Sequence, residues 1–202
     1  YEIGLGILLN RSSDLSLKFQ SRHTMFEDEE EFLEHEEEME KAVEKYESMQ
    51  EKDDSAYFDS EEFEYIIDHY TQHNQLKRSR QAVEMAMAQH PESNILKIKM
   101  ARQYLLENDA QRAFDIMQHV ERFDDDENPD YFLTLGSCLA ALGKSEEALE
   151  NYFNALPYFD EDEKFELYNA IAFEYQHMQK YDLALEFYNK ALPFAEDRAT
   201  IY

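Results

Sequence analysis

The chain has 202 residues and a formal net charge of −27, which excludes binding to nucleic acid or an anionic membrane through bulk attraction. Gly and Pro number four each, too few for the turns of a sheet-rich fold, so helices with short connections are expected. The single cysteine, Cys138, excludes an internal disulfide and a cysteine-based metal cluster and points to a reducing, cytoplasmic setting.

Residues 1–24 lack helical periodicity and read as a vector-derived or disordered segment, with Met25 as the natural start. Their short apolar patch, Ile7-Leu8-Leu9, has no basic lead-in or cleavage site, and no run in the chain approaches the roughly 20 apolar residues that span a bilayer. Residues 25–59 read as an acidic amphipathic helix and a linker. Between 27 and 54 stand 15 acids and three lysines, yet Phe32, Met39, Val43, Tyr46 and Met49 recur at three-, four- and seven-residue spacings. So thin a stripe makes a stable helix only when docked. The stretch that follows carries Lys77, Arg78, Arg80, Lys97, Lys99 and Arg102. Docking as a cap on the first helix pair is therefore expected, with occupation of a groove as the alternative.

From Ser60 the sequence repeats itself. The last copy reads Tyr168, Ile171-Ala172, Tyr175, Ala184, Tyr188 and Ala191; the one before it Phe132, Leu135-Gly136, Leu139, Ala148, Tyr152 and Ala155. Earlier still come Lys97, Met100-Ala101, Tyr104, Ala113, Met117 and Val120, and first of all Phe63, Ile66-Ile67, Tyr70, Ser79, Val83, Ala86 and Pro91. Matching residues return after 34, 35 and 36 positions, and a period in this range marks a stacked array of helix pairs.

This order of aromatic, apolar-small, Tyr, Ala, aromatic and Pro resembles the tetratricopeptide repeat (TPR). Lys97 and Leu139 depart from its aromatics, and Ile67 and Ser79 from its small residues. The resemblance implies an all-α fold, a right-handed superhelical solenoid of antiparallel helix pairs. The copies run 60–93, 94–128, 129–164 and 165–198, and residues 199–202 read as the start of a further, truncated repeat. Leu156-Pro157 and Leu192-Pro193 are expected to stop the second helices of the last two copies.

No residue set reads as catalytic, cofactor-binding or metal-binding. His69 and His73 share a helix face with zinc-compatible spacing, but a third ligand is missing from the pattern. Asp124-Asp125-Asp126-Glu127 resembles part of a calcium loop without its glycine or terminal glutamate. Cys138 reads as a buried small hydrophobe.

The TPR resemblance further implies that first helices line an extended concave surface. The groove positions so implied are Ile95, Ile98, Arg102 and Leu105 in the second copy, Leu133 and Ser137 in the third, and Asn169, Phe173 and His177 in the fourth. Glu61, Glu64 and Asp68 stand there in the first copy, with Asp130 and Glu166 later. A Lys-Asn-Arg clamp for peptide carboxylates, known in the family, is not expected, because only Arg102 has suitable chemistry. The chain is thus expected to be a non-catalytic scaffold or adaptor that binds a peptide or helix of another protein. The alternative is the regulatory region of a larger enzyme or signalling protein.

Overall fold

The computed structural model describes residues 28–52, 55–121, 128–160 and 164–199, with side chains from Met39 to Phe194. Among them every regular element is helical. The elements are α1 (Asp28–Lys52), α2 (Ser60–Gln72), α3 (Leu76–Gln89), α4 (Asn94–Leu106), α5 (Ala110–Met117), α6 (Pro129–Ala141), α7 (Ser145–Ala155), α8 (Lys164–His177) and α9 (Tyr181–Ala199). A short 3-10 turn, Leu156–Tyr158, follows α7. The described residues form two compact units that divide after Gln103.

Local sequence explains where helices begin. Asp59 accepts from the backbone N–H of Glu62 while Glu62 accepts from the N–H of Asp59, a reciprocal capping box at the start of α2. Asp109 caps α5, and Asn128 caps α6 with Pro129 in its first turn.

The connection inside each pair obeys a rule with the period of the repeat. Asn74, Asn108, Gly143 and Gln179 each adopt positive φ, between 55° and 75°. The residue after each donates to a carbonyl five positions back: Gln75 to Tyr70, Asp109 to Tyr104, Lys144 to Leu139 and Lys180 to Tyr175, at 2.7–2.9 Å. This left-handed closure satisfies carbonyls that the ending helix leaves open. Asn and Gly accept that conformation readily, whereas Gln179 does so at a cost of roughly 1 kcal/mol. Gln179→Gly is accordingly expected to stabilise the chain by about that amount, read as a small rise in melting temperature.

In the N-terminal unit α1 packs on α2. Ala42, Val43, Tyr46 and Met49 join Phe58, Phe63, Ile66, Ile67, Tyr70, Ala82, Val83 and Ala86 in one core. Tyr46 meets Phe58 and Tyr70 with ring centroids 5.8 and 6.0 Å apart. Polar contacts fix the edges: Arg78 pairs with Glu47 at 2.8 Å, and Lys45 with Glu62 at 3.3 Å. The acidic helix therefore covers the first pair, using its apolar stripe and one of the basic residues expected to attract it. The remaining described stripe residue, Met39, is also buried, and Phe32 lies outside the described side chains.

Ser79 occupies the place that Ala113, Ala148 and Ala184 hold in later copies. Its hydroxyl is fully buried and partnered, 2.8 Å from the Thr71 hydroxyl and 3.0 Å from the Gln103 amide oxygen. Gln103 in turn donates to the Leu76 carbonyl. The departure from alanine is thus absorbed by a buried polar network.

In the C-terminal unit α6 pairs with α7 and α8 with α9, while α8 also packs on α7. Phe187 of α9 meets Tyr168 and Tyr175 of α8 and Phe153 of α7. Pro157 lies in the turn that ends α7, but Pro193 does not stop α9, which continues to Ala199. Proline in a helix removes one N–H donor and strands the carbonyl four residues earlier. Here that carbonyl belongs to Asn189, and Asn189 and Pro193 are both exposed, so water can take over the lost bond.

Candidate protein-binding surface

Side-chain exposure divides the nine implied groove residues. Ile95 is 42 % exposed; His177 is exposed, and Asn169 and Phe173 are half-buried. Ile98, Arg102, Leu105, Leu133 and Ser137 are buried, Leu133 and Ser137 completely. The expectation that these five present open surface is therefore corrected. Leu133 has no exposed surface, and the Ser137 hydroxyl is turned back to the Leu133 carbonyl at 2.8 Å. Glu166 is likewise buried.

Within the N-terminal unit the available first-helix surface holds Ile95; Lys97 is largely buried and lies within 3.7 Å of Glu92. Asp68 is engaged by Lys99, whose ammonium lies 2.6 Å from both carboxylate oxygens. This pair is nearly buried on the lysine side, so it locks α2 to α4 and offers little charge to a ligand.

Within the C-terminal unit Phe173 and His177 stand one turn apart on α8 with ring centroids 4.2 Å apart. Asn169, one turn earlier, donates to the Phe165 carbonyl. The three form a mixed aromatic and polar strip on a rigid helix, suited to an apolar side chain flanked by backbone groups.

One buried polar group was not anticipated. Glu174 is 2 % exposed, and its Oε2 has no hydrogen-bond partner among the described residues. The repeat places Glu174 where Gln103 stands two copies earlier, and Gln103 uses its amide N–H on a backbone carbonyl. A buried carboxylate lacking a donor costs stability. Glu174→Gln supplies an N–H and removes the charge, so it is expected to raise the melting temperature by a few degrees, about 1 kcal/mol.

His69 and His73 have rings 4.4 Å apart, and His73 Nδ1 faces the His69 carbonyl at 2.7 Å. The Lys99 pair takes Asp68 away from them. Among the described residues no group of three potential ligands surrounds a metal position. Asp124–Glu127 lies outside the described residues. Cys138 is fully buried, and burial pushes its thiol up to about 12, so it stays a protonated, unreactive thiol at neutral pH. No described helix is long and apolar enough to cross a membrane.

The helix pairs and their periodic closures define a TPR-like helical repeat fold. Solved structures of MamA share it. MamA MSR-1 superposes with a TM-score of 0.58 at 21 % identity, covering 81 % of this chain and 95 % of that one. MamA AMB-1 gives 0.57 at 20 %, with 79 % and 98 % covered. A further MamA crystal structure gives 0.57 at 16 %, with 88 % and 99 % covered. At these identities the likeness establishes the fold. No family model matches the sequence, and no curated protein does.

Proposed function

We propose that this chain is a non-catalytic protein-interaction adaptor that holds a peptide or helix of another protein on its first helices. The observations that carry the reading are the apolar and aromatic side chains left accessible on the first helices of each unit taken by itself: Ile95 on α4 of the N-terminal unit and, separately, Phe173 with His177 on α8 of the C-terminal unit. Rigid elements that expose a few large side chains bind with little ordering cost. The net charge of −27 favours partners that are basic or carry basic flanks, and it speeds their encounter. Arg102 is buried, which leaves this surface without a guanidinium for a peptide carboxylate.

Affinity purification from the native cell tests the reading. Intact chain is compared with Ile95→Glu and with Phe173→Glu, each checked for an unchanged melting temperature. Loss of partners is expected in at least one of the two variants. Retention of the same partners by both would sink the proposal. Substitutions at Ile98 or Leu133 cannot serve, because a charge at a buried position unfolds its surroundings.

A further inference from the structure

The end of α2 carries two imidazoles on one face. His69 and His73 stand one turn apart, the spacing at which helical side chains meet. Their rings lie 4.4 Å apart with planes inclined at 32°. His73 is exposed and His69 half-buried. His73 Nδ1 lies 2.7 Å from the His69 carbonyl. A carbonyl only accepts, so Nδ1 carries the proton and Nε2 of the neutral ring keeps its electron pair. Metal-binding histidines are oriented in this way, with the second ring nitrogen donating to a carbonyl or carboxylate.

Among the described residues no hydrogen bond engages His73 Nε2 or either ring nitrogen of His69. A capping role thus accounts for one nitrogen of the pair and leaves the rest open. Burial, and next the neighbouring His73, lower the pKa of His69 below its ordinary value, against the opposing pull of Glu47 and Glu40. The neutral form, which binds metal, is thereby favoured.

The surroundings suit a cation. Glu47 and Glu40 of α1 act on His69 through their charge. Glu47 is engaged by Arg78 and by the Tyr70 hydroxyl, whereas Glu40 is exposed and makes no ion pair among the described residues. The net charge of −27 raises the local concentration of any divalent ion.

We propose that His69 and His73 chelate a divalent transition cation of the zinc class, with water in the remaining positions and the Glu40 carboxylate as an outer partner. Two nitrogens bound to one such ion at about 2.0–2.1 Å stand roughly 3 Å apart. Rings with centres 4.4 Å apart reach that spacing by a small tilt. Imidazole prefers zinc, nickel and copper to magnesium and calcium, so this pair is distinct from the carboxylates around it. With two protein ligands the ion is exchangeable, and through a bound water it links the last turn of α2 to Glu40 on the covering helix α1. The site is separate from the adaptor surface and stands or falls without it.

The test is calorimetric titration of the intact chain with ZnCl2 in excess Mg2+, a hard cation that occupies surface carboxylates and leaves imidazole open. One-to-one binding with a dissociation constant of ~10–100 µM is expected. His73→Gln alters an exposed side chain, keeps the parent melting temperature and should weaken binding at least about tenfold, as should His69→Gln. Glu40→Gln should weaken it about two- to threefold. Zn2+ at about ten times its dissociation constant should raise the parent melting temperature by about 3 °C and leave that of His73→Gln unchanged. In nuclear magnetic resonance the ring signals of His69 and His73 should move before those of the other histidines.

A dissociation constant weaker than ~1 mM overturns the proposal, as does equal binding by His73→Gln. A first response at the rings of other histidines also overturns it, since the ion then sits elsewhere on the acidic surface.

Discussion

Deleting residues 25–52 is expected to lower the melting temperature by ~10 °C or more. Among the described side chains the deletion strips away Met39, Ala42, Val43, Tyr46 and Met49, all under a tenth exposed. It also uncovers α2, whose Phe63, Ile66, Ile67 and Tyr70 are among the most buried residues of the unit. A buried large side chain contributes roughly 1.5–3 kcal/mol, partly offset by the entropy of ordering the helix. Tyr46→Ala alone removes the ring between Phe58 and Tyr70 and should cost roughly 3 kcal/mol. A deleted chain that melts at the parental temperature would show that α1 contributes nothing as a cover.

The same contact carries a pH signature. Burial, aided by the neighbouring Glu47 carboxylate, pushes Tyr70 from the ordinary 10 up to about 12. A raised tyrosine value means that the stability it contributes is fully present below pH 10 and is lost as pH rises through about 12. Thermal unfolding between pH 9 and 12 should therefore show a steeper loss in the parent than in Tyr70→Phe, which cannot ionise. Equal slopes would place the alkaline loss elsewhere.

The fold was legible because the repeat was redundant. Lys97 and Leu139 each break the pattern, but Ala101, Ala113, Gly136 and Ala148 keep its phase, and all four are buried. The periodic left-handed closures were available too: Asn74, Asn108 and Gly143 stand at the repeat spacing, and only Gln179 disguises the fourth. The binding surface was less legible. α4 distributes Ile95, Leu96, Ile98, Met100, Ala101 and Leu105 around its axis, so its periodicity does not single out one buried face. Ile98 went inside and Ile95 stayed out. Which flank a helix turns to its neighbours is decided by interhelical packing, information that lies in several helices at once. Pro193 misled for a related reason, since an exposed helix tolerates proline where water can satisfy the freed carbonyl.

Gly136→Val is expected to destabilise the chain by roughly 3 kcal/mol, a fall of about 6–12 °C in melting temperature. A Cβ at Gly136 would lie 2.8 Å from two atoms of the Tyr152 ring and 3.3 Å from the Ala148 carbonyl. The ring is 1 % exposed and cannot yield without moving its surroundings. Glycine at 136 thus permits the tyrosine to sink between the helices of its pair. For Gly136→Ala two effects oppose: better helix propensity, worth about 1 kcal/mol, and overpacking of about 1–3 kcal/mol. The net should be a loss near 1 kcal/mol, with the Tyr152 ring pushed away from residue 136. If the close approach is the cause, trimming the ring should relieve it. Gly136→Val combined with Tyr152→Val should then lose at least about 1 kcal/mol less than the two single losses added together. Strict additivity would assign the glycine's role to backbone conformation instead, although its φ, unlike that of Gly143, is not positive.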